Sequence, residues 1–255
     1  IVEGASEGLH PIHDRAAITA WFSDVTMDEV VLIENESNPI YAEHSSILLT
    51  NSTLHSDVTG DLINVRHGSS LIDSCTFIGN DKPDTDAIDY DVVNGGIVQN
   101  CIVRNFTGSN SDGIDLGEAS HGTLISNNLI HECSDKGVSI GQGSAAIIED
   151  VTITRCAIGI AAKDQGSAKV NHTTIYGCET GLAAYEKNPG SGGGAIKISN
   201  SILSNSIDIP AFSDSLSTCS LVAVLYDSHY LDDNNTFFSN PCLLYTSDAA
   251  DDRVS

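Results

Sequence analysis

Seven copies of one short phrase, a polar residue followed three positions later by an apolar one, recur along the chain at intervals of 22 to 28 residues. The apolar members are Leu54, Phe77, Val103, Ile130, Ile153, Ile175 and Leu203, and the polar members are Asn51, Ser74, Asn100, Asn127, Asp150, His172 and Asn200. A fixed period of this size marks a solenoid. Each repeat is one coil that cannot bury its own apolar face, and a core forms only when coils stack on one another.

A second phrase threads between the copies of the first. It runs through Pro39-Ile40-Tyr41, Leu62-Ile63-Asn64, Ala87-Ile88-Asp89, Gly113-Ile114-Asp115, Gly137-Val138-Ser139, Gly159-Ile160-Ala161 and Gly181-Leu182-Ala183. Apolar residues alternate with polar or small ones, the period of a strand with one buried face. Stacked coils would set these strands side by side in a parallel sheet, with Ile40, Ile63, Ile88, Ile114, Val138, Ile160 and Leu182 as its inward column. Leucine-rich repeats share the period but carry a leucine-dense consensus and often a helix, whereas here the consensus is Ile/Val with Asn and Gly, without helical periodicity between Ser45 and Asn205. The sequence therefore predicts an all-β fold, a right-handed, single-stranded parallel β-helix of about 7–8 coils, with the Asn column at a turn where stacked amides satisfy one another.

The expected organisation is one β-helix domain over 1–241, with the glycine-rich run at 190–194 as a loop between coils rather than a linker. No apolar run is long enough to span a membrane. Ile1 lies in patterned sequence without an initiator Met, so a chain truncated at both ends is expected, with flanking domains missing from the fragment. From Cys242 the residues read as the translation of a transposase-type sequencing adapter, so 242–255 is expected to be an artefact of environmental sequencing, and disordered.

Eleven basic and 35 acidic residues leave a net charge of −24. Such a surface excludes nucleic acid and anionic membranes as electrostatic partners and repels polyanionic glycans unless cations intervene. Secretion or display at a cell surface is the expected location. Cys133, Cys156 and Cys178 share one register and Cys75 and Cys101 another. They read as small buried hydrophobes at equivalent inward sites, with inter-coil disulfides or a metal as the sharper alternative.

The outward positions of the second phrase form two columns: Tyr41, Asn64, Asp89, Asp115, Ser139, Ala161, Ala183, and Glu43, Arg66, Asp91, Gly117, Gly141, Lys163, Tyr185. A turn position beside them reads Asp61, Asp86, Asp112, Lys136. Asp86, Asp89, Asp91, Asp112 and Asp115 thus crowd into two neighbouring coils. Like charges across a strand pair are destabilising, so water, Arg66, Lys136 or a bound cation must relieve them. Calcium suits several hard carboxylate oxygens on a rigid scaffold, and solvated or ion-paired Asp is the other reading. Asn64, Lys136, Lys163 and Tyr185 are candidate glycan contacts on the same face, and the Gly117–Gly141 pair leaves a flat place where a sugar ring could lie.

On these two phrases the chain resembles the right-handed β-helix repeat proteins of the pectin-lyase-like superfamily, from about Val30 to Ser206. That resemblance implies the fold, and it leaves activity open because such folds host lyases, hydrolases, epimerases and inert surface proteins. The stretches 134–144, 159–164 and 185–188 look like a bacterial β-helix subgroup without a defined activity. Asn110-Ser111-Asp112-Gly113-Ile114-Asp115 is similar to the polygalacturonase signature, which would make Asp112 an acid of an inverting hydrolysis. Where that family continues with Asp-Asp and Gly-His-Gly, this chain has Asp135-Lys136 and Ala157-Ile158-Gly159. Arg66-His67-Gly68 is similar to a segment of polysaccharide lyase family six, which implies Arg66 and His67 as catalytic candidates and calcium as cofactor. The lysine base of that family would lie one coil earlier, where this chain has Glu43 and His44. The expected function is an extracellular, non-catalytic module that binds polysaccharide or surfaces, or is structural, with a calcium-assisted polysaccharide lyase as the alternative.

Overall fold

Leu54, Phe77, Val103, Ile130, Ile153, Ile175 and Leu203 stand in parallel register, each directly above the last. They are buried to 1 % exposure or less, and each contributes roughly 1.5–3 kcal/mol by leaving water. The computed structural model describes residues 2–3, 16–35, 38–226 and 243–245. Their strands assemble three parallel sheets of 10, 9 and 10 strands, each coil laying one strand into each sheet. Among the described residues there is no helix, and hence none long and apolar enough to cross a membrane. The nine strands of the second sheet correspond to about nine turns of the solenoid. The turns beyond those counted from sequence come from Ala16–Trp21 and Ile209–Ser213, where the phrases degenerate. Of the tail 242–255, only Leu243–Tyr245 lies within the described residues, where it pairs in parallel with Thr218–Val222.

Each coil passes from the second sheet to the third through a connection of two to nine residues, and from the third to the first round a two-residue corner. The polar member of the repeat phrase is the first residue of that second corner. Asn51, Ser74, Asn100, Asn127, Asp150, His172 and Asn200 all have φ between 49° and 57°. Asn, Asp and His are the side-chain-bearing residues that enter this left-handed region most readily, which explains the choice of residue. The amides also ladder: Asn127 Nδ2 donates to Asn100 Oδ1 at 2.6 Å, and Asn100 Nδ2 donates to Asp73 Oδ1 at 2.7 Å. Asn127→Val is therefore expected to cost about 2 kcal/mol, from left-handed strain at a β-branched residue and loss of the amide bond. Asn127→Gly should cost less, because glycine keeps the corner. Urea midpoints of the two variants check this ordering.

Cys75, Cys101, Cys133, Cys156 and Cys178 are free and no more than 2 % exposed. They pack as small inward residues, and the backbone N–H of Cys75 donates to Cys101 Sγ at 3.5 Å. The glycine-rich loop folds over the Glu186 carboxylate, which accepts the N–H groups of Gly190 and Gly192 at 3.0 and 2.8 Å.

Candidate functional site

In the second sheet the strands Ile63–Arg66, Ile88–Asp91 and Ile114–Gly117 follow the turn acids Asp61, Asp86 and Asp112, and Lys136 in the same position opens the strand Lys136–Ile140. The acids of that turn cap the backbone of the next coil. Asp61 Oδ1 accepts the N–H of Asp86 at 3.2 Å, Asp86 Oδ1 that of Asp112 at 2.6 Å, and Asp112 Oδ1 that of Lys136 at 2.7 Å. Capping at every rung forces carboxylates to the coil spacing of about 4.8 Å. Burial raises the carboxyl of Asp61 to about 6. Asp86 rises to about 10, by burial first and then by the charges of Asp112 and Asp61. Asp112, only 5 % exposed, rises to about 6 by burial, with the Lys136 ammonium pulling against the shift.

The first outward column has the register expected from sequence, Tyr41, Asn64, Asp89, Asp115, Ser139, Ala161, Ala183. Asn64 Nδ2 donates to Asp89 Oδ2 and, at 3.3 Å, to Asp61 Oδ2. Burial, then the charges of Asp61, Asp91 and Asp115, hold the Asp89 carboxyl well above its ordinary range. One carboxylate oxygen each from Asp86, Asp112 and Asp115 lie within 4.8 Å of one another. Two oxygens on opposite sides of a calcium ion, each about 2.4 Å from it, stand about 4.8 Å apart, so the triad has the span to share one ion. Two buried oxygens at this patch, Asn64 Oδ1 and Asp115 Oδ1, accept no hydrogen bond. Asp115 Oδ1 has the Lys163 ammonium 3.8 Å away.

The basic residues are committed to acids or hydroxyls. Arg66 reaches Asp91 Oδ2 at 2.7 Å and Glu118 Oε2 at 3.1 Å. Burial lifts the Asp91 carboxyl, and Arg66 opposes that lift. Lys136, 3 % exposed, meets Asp135 and, at 3.5 Å, Asp112. Burial works to lower its ammonium, but the Asp112 and Asp135 carboxylates outweigh it and hold Lys136 above the ordinary lysine value. Lys163 Nζ donates to Ser139 Oγ at 2.7 Å. It gets there by crossing Gly141, where a Cβ would lie 2.8 Å from Lys163 Cε. At Gly117 a Cβ would lie 2.8 Å from Asp91 Oδ1. The glycine pair thus makes room for neighbouring side chains. Beside it opens a small cleft of about 120 Å³ lined by Asp115, Gln142, Lys163, Asp164 and Asn188.

Asn64, Asp86, Asp89, Asp112, Asp115, Lys136 and Lys163 therefore share one patch, with the Arg66–Asp91 pair at its edge. Asp91 points its charge at Arg66 and stands outside the triad. Tyr185 lies further up the ladder, opposite Lys163 in register, with its hydroxyl pKa raised by burial against the pull of Lys136. His67 sits in the left-handed corner at φ 50°, its ring stacked on His44 at 4.9 Å, and His44 stacks on Phe22 at 4.6 Å. Arg66 and Lys163 occupy one outward column four rungs apart, about 19 Å at the usual strand spacing. Sequence reasoning passed over Glu118, the second partner of Arg66, and Asp164, whose Oδ1 accepts the N–H groups of Lys187 and Asn188 at 2.8 and 2.9 Å. Both are left-handed corner residues, φ 51° each, and their regular place after the outward column was the signal available.

A family model described as "Right handed beta helix region" matches residues 61–250. No curated protein matches the chain. Among solved structures, an alginate lyase from Paenibacillus sp. str. FPU-7 is 12 % identical with a TM-score of 0.46, over 84 % of this chain and 96 % of that one. PfbA, a surface adhesin of Streptococcus pneumoniae, is 11 % identical with a TM-score of 0.35, over 79 % and 70 %. Endopolygalacturonase I from Stereum purpureum is 14 % identical with a TM-score of 0.34, over 88 % and 89 %. What they share with this chain is the fold.

Proposed function

The chain belongs to the right handed beta helix region family, and we propose that it is an extracellular, non-catalytic module that holds glycan through a divalent cation on the acidic face of its second sheet. The convergence of Asp86, Asp112 and Asp115 oxygens within 4.8 Å carries this reading. Calcium is the cation the all-oxygen donor set fits. The triad fills only part of its coordination shell, and the hydroxyl or carboxylate oxygens of a sugar can complete it. Such bridging also answers the charge problem, since a net charge of −24 repels uronate-rich chains until a cation stands between them.

The state of the basic residues favours binding over cleavage. A lyase needs a base to take a proton from carbon and a positive group to neutralise the uronate carboxylate. Lys136 is held above the ordinary lysine value by its carboxylates, the wrong direction for a base. Arg66 is already bound to Asp91 and Glu118, and Lys163 stands four rungs from it. Asp112, matched to the acid of the hydrolases, is buried and ion-paired to Lys136.

Calorimetric titration with calcium chloride, then with oligouronates in calcium or in chelator, tests the proposal. The expected result is calcium binding that Asp115→Asn weakens by about tenfold or more, with glycan binding seen only when calcium is present. Absence of calcium binding would overturn the cation. New ultraviolet absorbance from an unsaturated product would overturn the non-catalytic reading in favour of a calcium-assisted lyase.

A further inference from the structure

The third sheet carries a second outward ladder that the acidic site does not use. Thr26, Leu48, Leu71, Ile97, Leu124, Ile147, Lys169, Lys197 and Ser220 occupy one register position on successive rungs. Their chain neighbours, such as Leu49, Ile72, Val98, Ile125 and Ile148, point into the core with 0 % exposure. Five consecutive rungs of the outward column, Leu48 to Ile147, are thus aliphatic; the first four are half-buried and Ile147 is 48 % exposed. The flanking outward positions are small on one side and mostly uncharged on the other. A groove of about 430 Å³ continues along the upper part of this face, between Ala145, Ile147, Ala195 and Lys197.

The charges at the two ends of this ladder are opposite. Thr26 at the bottom stands between the exposed Asp24 and Asp28. Lys169 and Lys197 at the top are exposed, and among the described residues neither forms an ion pair. In a chain with only 11 basic residues, these two lysines give the upper end of the aliphatic stripe a positive charge opposite in sign to its lower end. We propose that the partner is a second copy of this chain, packed face to face with the solenoid axes antiparallel about a two-fold axis that runs along the strands at Ile97. That axis sets Leu71 on Leu124 and Leu48 on Ile147. It places Lys169 against Thr26, within reach of Asp24 and Asp28 on either side. The other face-to-face two-fold, along the solenoid axis, would place Lys169 on Lys169 and Lys197 on Lys197, and like charges reject it. An isologous contact of this kind closes as a dimer, and its sheets stack with aligned strands, a standard packing.

Seven overlapping rungs at about 4.8 Å, with three to five residues of about 3.3 Å each, give about 500 Å² per copy and about 1,000 Å² in total. That total matches the ~1,000 Å² expected of a specific interface. The expected assembly is a reversible dimer with a dissociation constant in the micromolar range, about 1–100 µM.

Sedimentation equilibrium of the full chain over that concentration range tests it, with circular dichroism confirming that each variant keeps its β signal. Leu71→Asp, at a half-buried outward position, is expected to raise the dissociation constant about tenfold or more. Orientation is read by oxidative cross-linking. A mixture of Thr26→Cys and Lys169→Cys chains should cross-link with each other, and Lys169→Cys alone should not. A monomer throughout the range, a dimer unaffected by Leu71→Asp, or self-cross-linking of Lys169→Cys would each overturn the proposal.

Discussion

Raising the pH of the calcium-free protein from about 5 to about 8 is expected to lower its melting temperature, and added calcium to restore it. The sign follows from the acids of the turn column. Asp61 and Asp112 rise to about 6 and Asp86 to about 10 in the folded chain, from an ordinary 3.8. A carboxyl whose folded pKa exceeds its unfolded value supports the fold while protonated in both states. That support drains away as pH climbs through the folded pKa. Between about pH 4 and 6 all three groups lose it, and above 6 Asp86 continues to lose it. At 1.36 kcal/mol per pH unit, three units on Asp86 amount to about 4 kcal/mol, a large share of the ~5–15 kcal/mol that holds a domain folded. Calcium competes with the protons for the same oxygens, so its apparent affinity should rise over the same window. Asp86→Asn separates the two effects. Its amide oxygen can still cap the N–H of Asp112, now 2.6 Å from Asp86 Oδ1, while the charge that resists burial is gone. The variant should melt higher than the parent at about pH 8 without calcium and respond less to calcium. A flat pH profile in the parent, or an Asp86→Asn protein that melts lower at that pH, would count against the burial argument and against the cation together.

The parts legible in the sequence are those set by stacking alone. Parallel coils bring equal positions into register, so Ile63, Ile88 and Ile114 fall in one inward column and Asn64, Asp89 and Asp115 in one outward column, as the repeat demanded. The same reasoning brought Lys163 to the face of the acids. It could not see that Asp86 and Asp112 are held there by the backbone of the following coil, because that role belongs to the rotamer and not to the register. Nor could it divide the five acids. Asp91 and Asp115 look alike in sequence, yet Arg66 neutralises the first, while the second turns to Asp86 and Asp112. Glu118 escaped notice because its carboxylate comes back across one coil from a corner to reach Arg66. The aliphatic ladder of Leu48, Leu71, Ile97, Leu124 and Ile147 was present in the sequence from the start. It was hidden by the adjacent inward residues, which make those strands read as continuous apolar runs.

Gly159→Val is expected to be the most damaging single substitution among the glycines of the second phrase. A Cβ at Gly159 would lie 2.5 Å from the carbonyl oxygen of Gly181 and 2.6 Å from Ile175 Cγ2. Neither neighbour can retreat: the first is backbone of the next coil and the second is core. Gly113 and Gly137 meet the coil above in the same way. Ala87 and Leu62 hold the equivalent place lower down. At Gly159 the turn runs only from Thr154 to Ile158. Valine adds two methyl groups to that contact, so about 3 kcal/mol or more should be lost, the upper end for overpacking. Gly143→Ala is the matched control. Its φ of 78° strains any side chain, but nothing lies within 4 Å of the added Cβ, so about 1 kcal/mol is expected. Because each coil touches only its neighbours, the loss at Gly159 falls on the junction with the Gly181 coil. Amide exchange should therefore accelerate first in the coils from Thr180 onward, while those below Lys136 keep their protection. Uniform acceleration through the whole ladder, or equal cost for the two variants, would show that the close approach of the coils is not what selects glycine there.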